Sequence, residues 1–199
     1  MNFIEDLKWR GAVNQVTDEA GLLKAMDEGQ IGAYVGTDPT ADSLHLGHLI
    51  PFMVLKRFQK AGGKAVIIVG GATGSIGDPR PTTERQLLSE EQLKVNEQGI
   101  ASQVTKLFGS DGTTIVNNAD WLSPMTLPEF LRDYGKLFSV NVMLKKDVVA
   151  SRLETGISYT EFTYQILQAV DFLHLWQEEN VRLQIGGSDQ WGNITAGVD

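Results

Sequence analysis

Residues 64–79 read K-A-V-I-I-V-G-G-A-T-G-S-I-G-D-P. The run from Ala65 to Val69 is apolar at every position rather than at alternate ones. A strand needs that pattern when both of its faces are covered, as in parallel sheets flanked by helices. Glycines at 70, 71, 74 and 77 follow, and then Asp78. Such an opening of the backbone at a strand's C-terminal end suits the edge where doubly wound sheets take their ligands. Asp78 is a carboxylate placed there, able to receive an ammonium group.

The flanking sequence repeats the rhythm. Ile31 to Gly36 is a short apolar run, and Leu46 to Ala61 reads as a helix. Its apolar positions are Leu49, Phe52, Met53, Leu55 and Phe58, and Gly62-Gly63 stops it. Glu90 to Phe108 is helical in pattern, Thr113 to Asn117 and Val181 to Ile185 are strands, and Ser158 to Glu179 is a long helix. Alternating strands and helices imply βαβ units with right-handed crossovers. The expected fold is α/β, a doubly wound (Rossmann-like, HUP-type), largely parallel sheet in one domain spanning 1–199. Residues 124–155 break the rhythm, lack a strand, and read as a helical insertion on one edge of the sheet. Met1 to Ala12 reads as a short amphipathic helix with Phe3, Ile4, Leu7 and Trp9 as its apolar residues. A doubly wound sheet ordinarily continues beyond a loop such as 193–199, so a domain cut short is expected.

Composition narrows the function classes. The 199 residues are 42% hydrophobic and 21% charged, which suits a packed core rather than a disordered chain. With no cysteine, disulfides and thiolate metal sites are excluded. That fits a reducing compartment, and a cytoplasmic location is the expectation. The N-terminus lacks the basic and apolar regions of a signal peptide, and the apolar runs are too short to span a membrane. A net charge of −8 is unlike that of a general nucleic-acid binder. Arg132, Lys136, Lys145, Lys146 and Arg152 form a local basic group, read either as a solvated helical face or as an RNA contact.

Three further clusters carry candidate chemistry. Residues 34–48 read Y-V-G-T-D-P-T-A-D-S-L-H-L-G-H. His45 and His48 are three apart around Gly47 where a helix begins, which brings both rings to one side of its N-terminus. Unpaired N–H groups and the helix dipole favour phosphate there. Gly47 lets a flat group approach the backbone, and Thr40 adds a hydroxyl. No third ligand stands near the two histidines, so no protein-built metal site is expected. On the helix 158–179, Tyr164, Gln168 and Asp171 are spaced by four and three and share one face of an otherwise apolar element. Polar groups so placed cost free energy unless partnered. A ligand with an amine at one end and a hydroxyl at the other would partner all three; a solvent-facing stripe is the other reading. Finally, G-G-S-D-Q-W-G-N (186–193) follows a strand. Its Asp189 can accept from both hydroxyls of a ribose, and Gln190 directs an amide at the same pocket.

These segments together resemble a known family. His45-Leu46-Gly47-His48 is similar to the "HIGH" signature of class I aminoacyl-tRNA synthetases. T-G-I-S-Y-T-E-F-T-Y-Q-I-L-Q-A-V-D-F (155–172) and G-G-S-D-Q-W-G-N resemble bacterial tyrosyl-tRNA synthetases. The resemblance implies that Thr40, His45 and His48 serve the transferring phosphates of ATP. Gly36, Asp38, Gly47, Gly187 and Asp189 would lie at the nucleotide. Asp78, Tyr164 and Gln168 would meet the amine of L-tyrosine, Tyr34 and Asp171 its phenolic hydroxyl, and Gln190 its carboxyl end.

The implied activity is adenylation of tyrosine by ATP, with Mg²⁺ accompanying the nucleotide and no tightly bound cofactor, then transfer to tRNA(Tyr). A homodimer is implied through the insertion, with Phe130, Leu131, Phe138, Val140 and Met143 as its apolar residues. The loop 80–85 departs from the family's pattern, with Thr82 and Thr83 at its middle and only Arg80 and Arg85 basic. A K-M-S-K-S-like loop is absent from these residues, so tyrosine binding with poor turnover is expected of them. Another H-x-G-H nucleotidyltransferase and a binding module without catalysis are the alternatives.

Overall fold

The computed structural model describes residues 2–80, 86–109 and 112–198. The strands are β1 (Gly32–Thr37), β2 (Lys64–Val69), β3 (Thr113–Asn117) and β4 (Val181–Gln184). The first helices are α1 (Phe3–Trp9), α2 (Glu19–Glu28) and α3 (Leu46–Lys60). Helix α4 (Gly71–Gly74) and α5 (Glu90–Phe108) stand between β2 and β3, and α6 (Ala119–Leu122) follows β3. Helix α10 (Tyr159–Glu179) precedes β4, and α11 (Trp191–Ala196) follows it. The intervening α7 (Leu127–Glu129), α8 (Val140–Met143) and α9 (Asp147–Ala150) are single turns.

All described strand pairs are parallel, in the order β3-β2-β1-β4. Alternate residues of each strand face opposite ways, and helices cover both faces. Ala33, Val35, Ala65 and Ile67 pack with Phe52, Leu55 and Phe58 of α3 and with Ile100 and Val104 of α5. On the opposite face Tyr34, Val66 and Ile68 pack with Leu175 and Phe172 of α10. This is the expected doubly wound sheet. From β1 the chain turns one way to β2 and the other way to β4, so the C-terminal ends of β1 and β4 flank the point where strand order reverses. Open α/β sheets in general take ligands in the crevice at such a point.

The apolar residues named in the sequence differ in burial. Trp9 lies on α1 but is 73% exposed, since the helix buries only Phe3, Ile4 and Leu7. On α3, Leu49 and Met53 are exposed, while Phe52, Leu55 and Phe58 are inaccessible. A helix against a sheet buries one stripe, and these two positions stand beside it. Met143 is buried within the chain, unlike exposed Leu131 and Val140, so it is not free to face a second copy.

Within 124–155 the helices are the single turns α7, α8 and α9. A π-helical turn, Phe130–Tyr134, and a 3-10 turn, Gly135–Leu137, lie between α7 and α8. Arg152 does not belong to a solvated basic face. It is buried and paired with Glu161 at 3.2 Å, and it donates to the carbonyls of Gly156 and Arg80. Removing either partner would leave a buried charge unpaired. Of the other basic residues, Arg132 pairs with Asp133, and Lys146 donates to Thr195. Among the described residues no helix is long and apolar enough to cross a membrane.

Candidate active site

A cavity of about 320 Å³ opens at the C-terminal ends of β1 and β4. All fourteen residues singled out in the sequence line it, from Tyr34 and Gly36 on β1 to Gln190 beyond β4. The sheet supplies the floor, α3 and the 186–190 turn supply one end, and α10 supplies the other.

The inner end is a bonded polar network. Asp171 is 3% exposed, and its carboxylate accepts from Asn118 Nδ2 at 3.0 Å and from Trp121 Nε1 at 2.8 Å. Burial raises its pKa to about 7; the two donors oppose that rise, and the charge of Asp38 adds to it. Asn118 is inaccessible. Its Nδ2 also donates to Thr73 Oγ1 at 2.9 Å, and its Oδ1 accepts from the backbone N–H of Ala72. Thr73 in turn donates to Asp38 Oδ1 at 2.6 Å, and the Tyr164 hydroxyl donates to Asp38 Oδ2 at 2.8 Å. Burial drives the Tyr164 hydroxyl's pKa well up, aided by Asp38 and Asp78, so it stays a donor. The Asp38 carboxylate, which the resemblance implies at the nucleotide, thus accepts from both Tyr164 and Thr73.

Tyr34 closes this end. Its ring is buried against Phe172, and its hydroxyl has no partner among the described residues. Burial first, and the Asp171 charge second, raise that hydroxyl's pKa. Thr37 Oγ1 and Gln184 Oε1, on adjacent strands, are likewise buried without a described partner and line the same cavity. A buried polar atom left alone is costly. Three of them around one cavity fit a polar ligand.

Midway, Asp78 accepts from Gln190 Nε2 at 2.8 Å and from Asn193 Nδ2 at 3.0 Å. Asp78 lines the cavity, where a carboxylate suits an ammonium group. Gln168 lines the cavity one turn from Tyr164.

The outer end is built from backbone and imidazole. His45 caps α3, its Nδ1 accepting from the N–H of Gly47 at 3.1 Å. His48 Nδ1 accepts from the N–H of His45 at 3.3 Å, and the two rings stack at 3.8 Å. With each Nδ1 used as an acceptor, each Nε2 carries the ring's N–H. Burial, then the neighbouring His45, lowers the pKa of His48 and favours its neutral form. A Cβ at residue 47 would come within 2.9 Å of the His45 ring, which explains glycine there. Thr40 and Gly36 are exposed on the cavity's rim. Gly187 admits the Asp189 carboxylate, which a Cβ would meet at 2.4 Å. The expectation for the 80–85 loop falls mainly on residues 81–85, outside the described residues. Among the described residues no group of three His, Cys, Asp or Glu side chains is placed to hold a metal ion.

Sequence reading missed Thr37, Thr73, Asn118, Trp121 and Gln184. The one available signal was the Asn117-Asn118 pair at the C-terminal end of a strand. Asn117 Oδ1 receives the N–H groups of Gly71 and Ala119, so the pair stitches the β2 and β3 ends together.

Comparison with known proteins agrees with this arrangement. Residues 26–199 match the family described as tRNA synthetases class I (W and Y). The tyrosine–tRNA ligase of Leuconostoc citreum is 81% identical over 199 residues, covering all of this chain and 48% of that protein. The tyrosine–tRNA ligase of Pediococcus pentosaceus is 66% identical over 200 residues, with the same coverage. The chain thus spans about half the length of the curated relatives it matches. A C-terminally truncated mitochondrial tyrosyl-tRNA synthetase of Coccidioides posadasii superimposes with a TM-score of 0.86 at 36% identity, covering 99% of this chain and 57% of that one. The chain belongs to the class I tRNA synthetases of the tryptophan and tyrosine family.

Proposed function

We propose that the cavity binds L-tyrosine and ATP end to end, and that the whole protein is a tyrosine–tRNA ligase. The observation that carries this reading is the inner end. A buried carboxylate, Asp171, stands near the unpartnered buried hydroxyl of Tyr34, and both line one cavity. A phenolic hydroxyl donates to the first and accepts from the second. From Asp171 back to Tyr164, α10 rises roughly 10 Å, the reach of an amino acid with a para-hydroxyl. The amine then meets Asp78, Tyr164 and Gln168, and the carboxylate lies toward Gln190 and the outer end.

At the outer end Asp189 and the Gly187 backbone take the ribose, with Gly36 and Gly47 leaving room for the nucleotide. A tyrosine carboxylate oxygen attacks the α-phosphorus, and the bond to pyrophosphate breaks, its electron pair leaving with pyrophosphate. Thr40 and the Nε2–H groups of His45 and His48 donate to the phosphate oxygens as charge moves onto them, at a helix N-terminus that favours the same charge. Most of the rate arises from positioning and charge stabilisation, with no covalent side chain. Mg²⁺, held mainly by phosphate oxygens, would neutralise further charge. A terminal ribose hydroxyl of tRNA(Tyr) then attacks the carbonyl carbon of the adenylate, forming the ester as the bond to the phosphate oxygen breaks and AMP leaves.

Exposed Leu131, Val140 and Val142 in the segment 124–155 support a homodimer through that region. The functional reading is tested by exchange of labelled pyrophosphate into ATP. Exchange, whatever its absolute rate, is expected only with tyrosine present; exchange dependent on another acceptor would contradict it.

A further inference from the structure

The Asp171 carboxylate has two donors, and they are held in different ways. Asn118 is fixed through bonds to Ala72 and Thr73. Trp121 belongs to the single-turn helix α6, which has no side-chain cap of its own. The indole packs against the apolar cluster that includes Tyr34, Val66 and Ile68. The ring of His174 stacks on it with centroids 4.2 Å apart and planes 17° apart. His174 lies one turn beyond Asp171 on α10, so the two side chains share a helix face. One helix therefore supplies both the acceptor for the indole N–H and the plate against which the indole lies. Aromatic rings in such contact prefer defined relative orientations, and sliding the indole along the plate would carry Nε1 away from Asp171.

We infer that His174 is a positioning residue for recognition of the substrate's hydroxyl: its ring holds Trp121 in the plane that directs the indole N–H at Asp171. The inference rests on the reading of Asp171 as the hydroxyl acceptor. His174 itself touches no substrate. It fixes the direction of the carboxylate's remaining lone pairs, and so acts on the choice between tyrosine and phenylalanine rather than on binding of the amine or of ATP.

The test uses this chain with His174→Leu, which keeps bulk but loses the flat ring, and His174→Phe, which keeps the ring. Calorimetry gives the affinities for L-tyrosine and L-phenylalanine. Nitrogen-15 NMR follows solvent exchange of the Trp121 indole proton, assigned with Trp121→Phe. In His174→Leu the ratio of tyrosine to phenylalanine affinity is expected to fall about tenfold, the worth of one hydrogen bond to a charged group. Indole exchange should accelerate in parallel, and His174→Phe should restore both.

An unchanged ratio in His174→Leu overturns the inference, whether or not indole exchange accelerates. So does an equal loss in the Leu and Phe variants, which would mark a merely structural role. If His174→Leu does not fold, His174→Gln takes its place. If the unsubstituted chain binds no tyrosine, the functional reading itself fails, and indole exchange alone then decides whether His174 positions Trp121.

Discussion

The two ends of the cavity solve the same problem by different means. At the inner end the polar side chains Tyr164, Asp38, Thr73, Asn118, Asp171 and Trp121 are bonded in a chain, beside a Tyr34 hydroxyl that has no partner among the described residues. The outer end uses a helix N-terminus, two stacked imidazoles and glycines that keep Cβ atoms away. The first is largely buried and intolerant of change, because each group depends on the next. The second is open, and its groups have water as an alternative partner. Buried networks suit discrimination between similar ligands, and open dipolar ends suit a highly charged ligand that must enter and leave.

The largest expected effect lies at the inner end. The ordinary pKa of the Asp171 carboxyl is 3.8, and burial raises it to about 7 in the fold. The unfolded chain therefore releases this proton first. Between those values the folded state binds more protons than the unfolded state, so this group's contribution to stability falls as pH rises, with its full cost present above pH 7. Against Asp171→Asn, which does not titrate, the natural chain should lose up to about 4 kcal/mol between pH 4 and 8. Denaturant titrations at several pH values measure this, and a pH-independent difference would dissolve the contrast between the ends.

Next in size, Asp171→Ala should weaken tyrosine binding on the order of 100-fold, with phenylalanine affinity raised rather than lost, since tyrosine loses a buried partner and phenylalanine no longer leaves one unpaired. Equal losses by calorimetry would remove the phenol assignment. Asn118→Ala should cost about 2 kcal/mol of folding stability, because it strips partners from Asp171, Thr73 and the Ala72 N–H at once. A loss below about 0.5 kcal/mol, in the range of ordinary surface changes, would mean the groups do not depend on one another.

The smallest effect sharpens the outer end. Gly47→Ala sets a Cβ against the His45 ring at 2.9 Å. Moving that ring should weaken ATP about fivefold, roughly 1 kcal/mol and similar to losing a helix cap, and leave tyrosine affinity intact. A matching loss of tyrosine affinity would show that the two ends are one unit.

The same contrast explains what could be read from the sequence. The bounds of α5 and β3, Glu90–Phe108 and Thr113–Asn117, agree with those read from periodicity, because amphipathic and buried patterns are local. The outer end was legible for the same reason, its histidines and glycine lying within four residues. Tyr164, Gln168 and Asp171 were legible as polar breaks in an apolar helix. Asn118 and Trp121 were not, since they reach Asp171 across 53 and 50 residues, and only the assembled fold brings them there. The burial of Arg152 was hidden likewise, because its partners include a carbonyl 72 residues away. The bond from Tyr164 to the Asp38 carboxylate was hidden too, since it spans 126 residues.

The central claim is that the inner end recognises a phenolic hydroxyl while the outer end takes ATP. Calorimetric titration of this chain with L-tyrosine and L-phenylalanine, each with and without ATP, tests it most directly. Tyrosine is expected to bind in both conditions and phenylalanine at least 100-fold more weakly, the difference arising from Asp171 and Tyr34 left without a hydroxyl partner. Equal affinity for the two amino acids, or tyrosine displaced by ATP, would contradict the account.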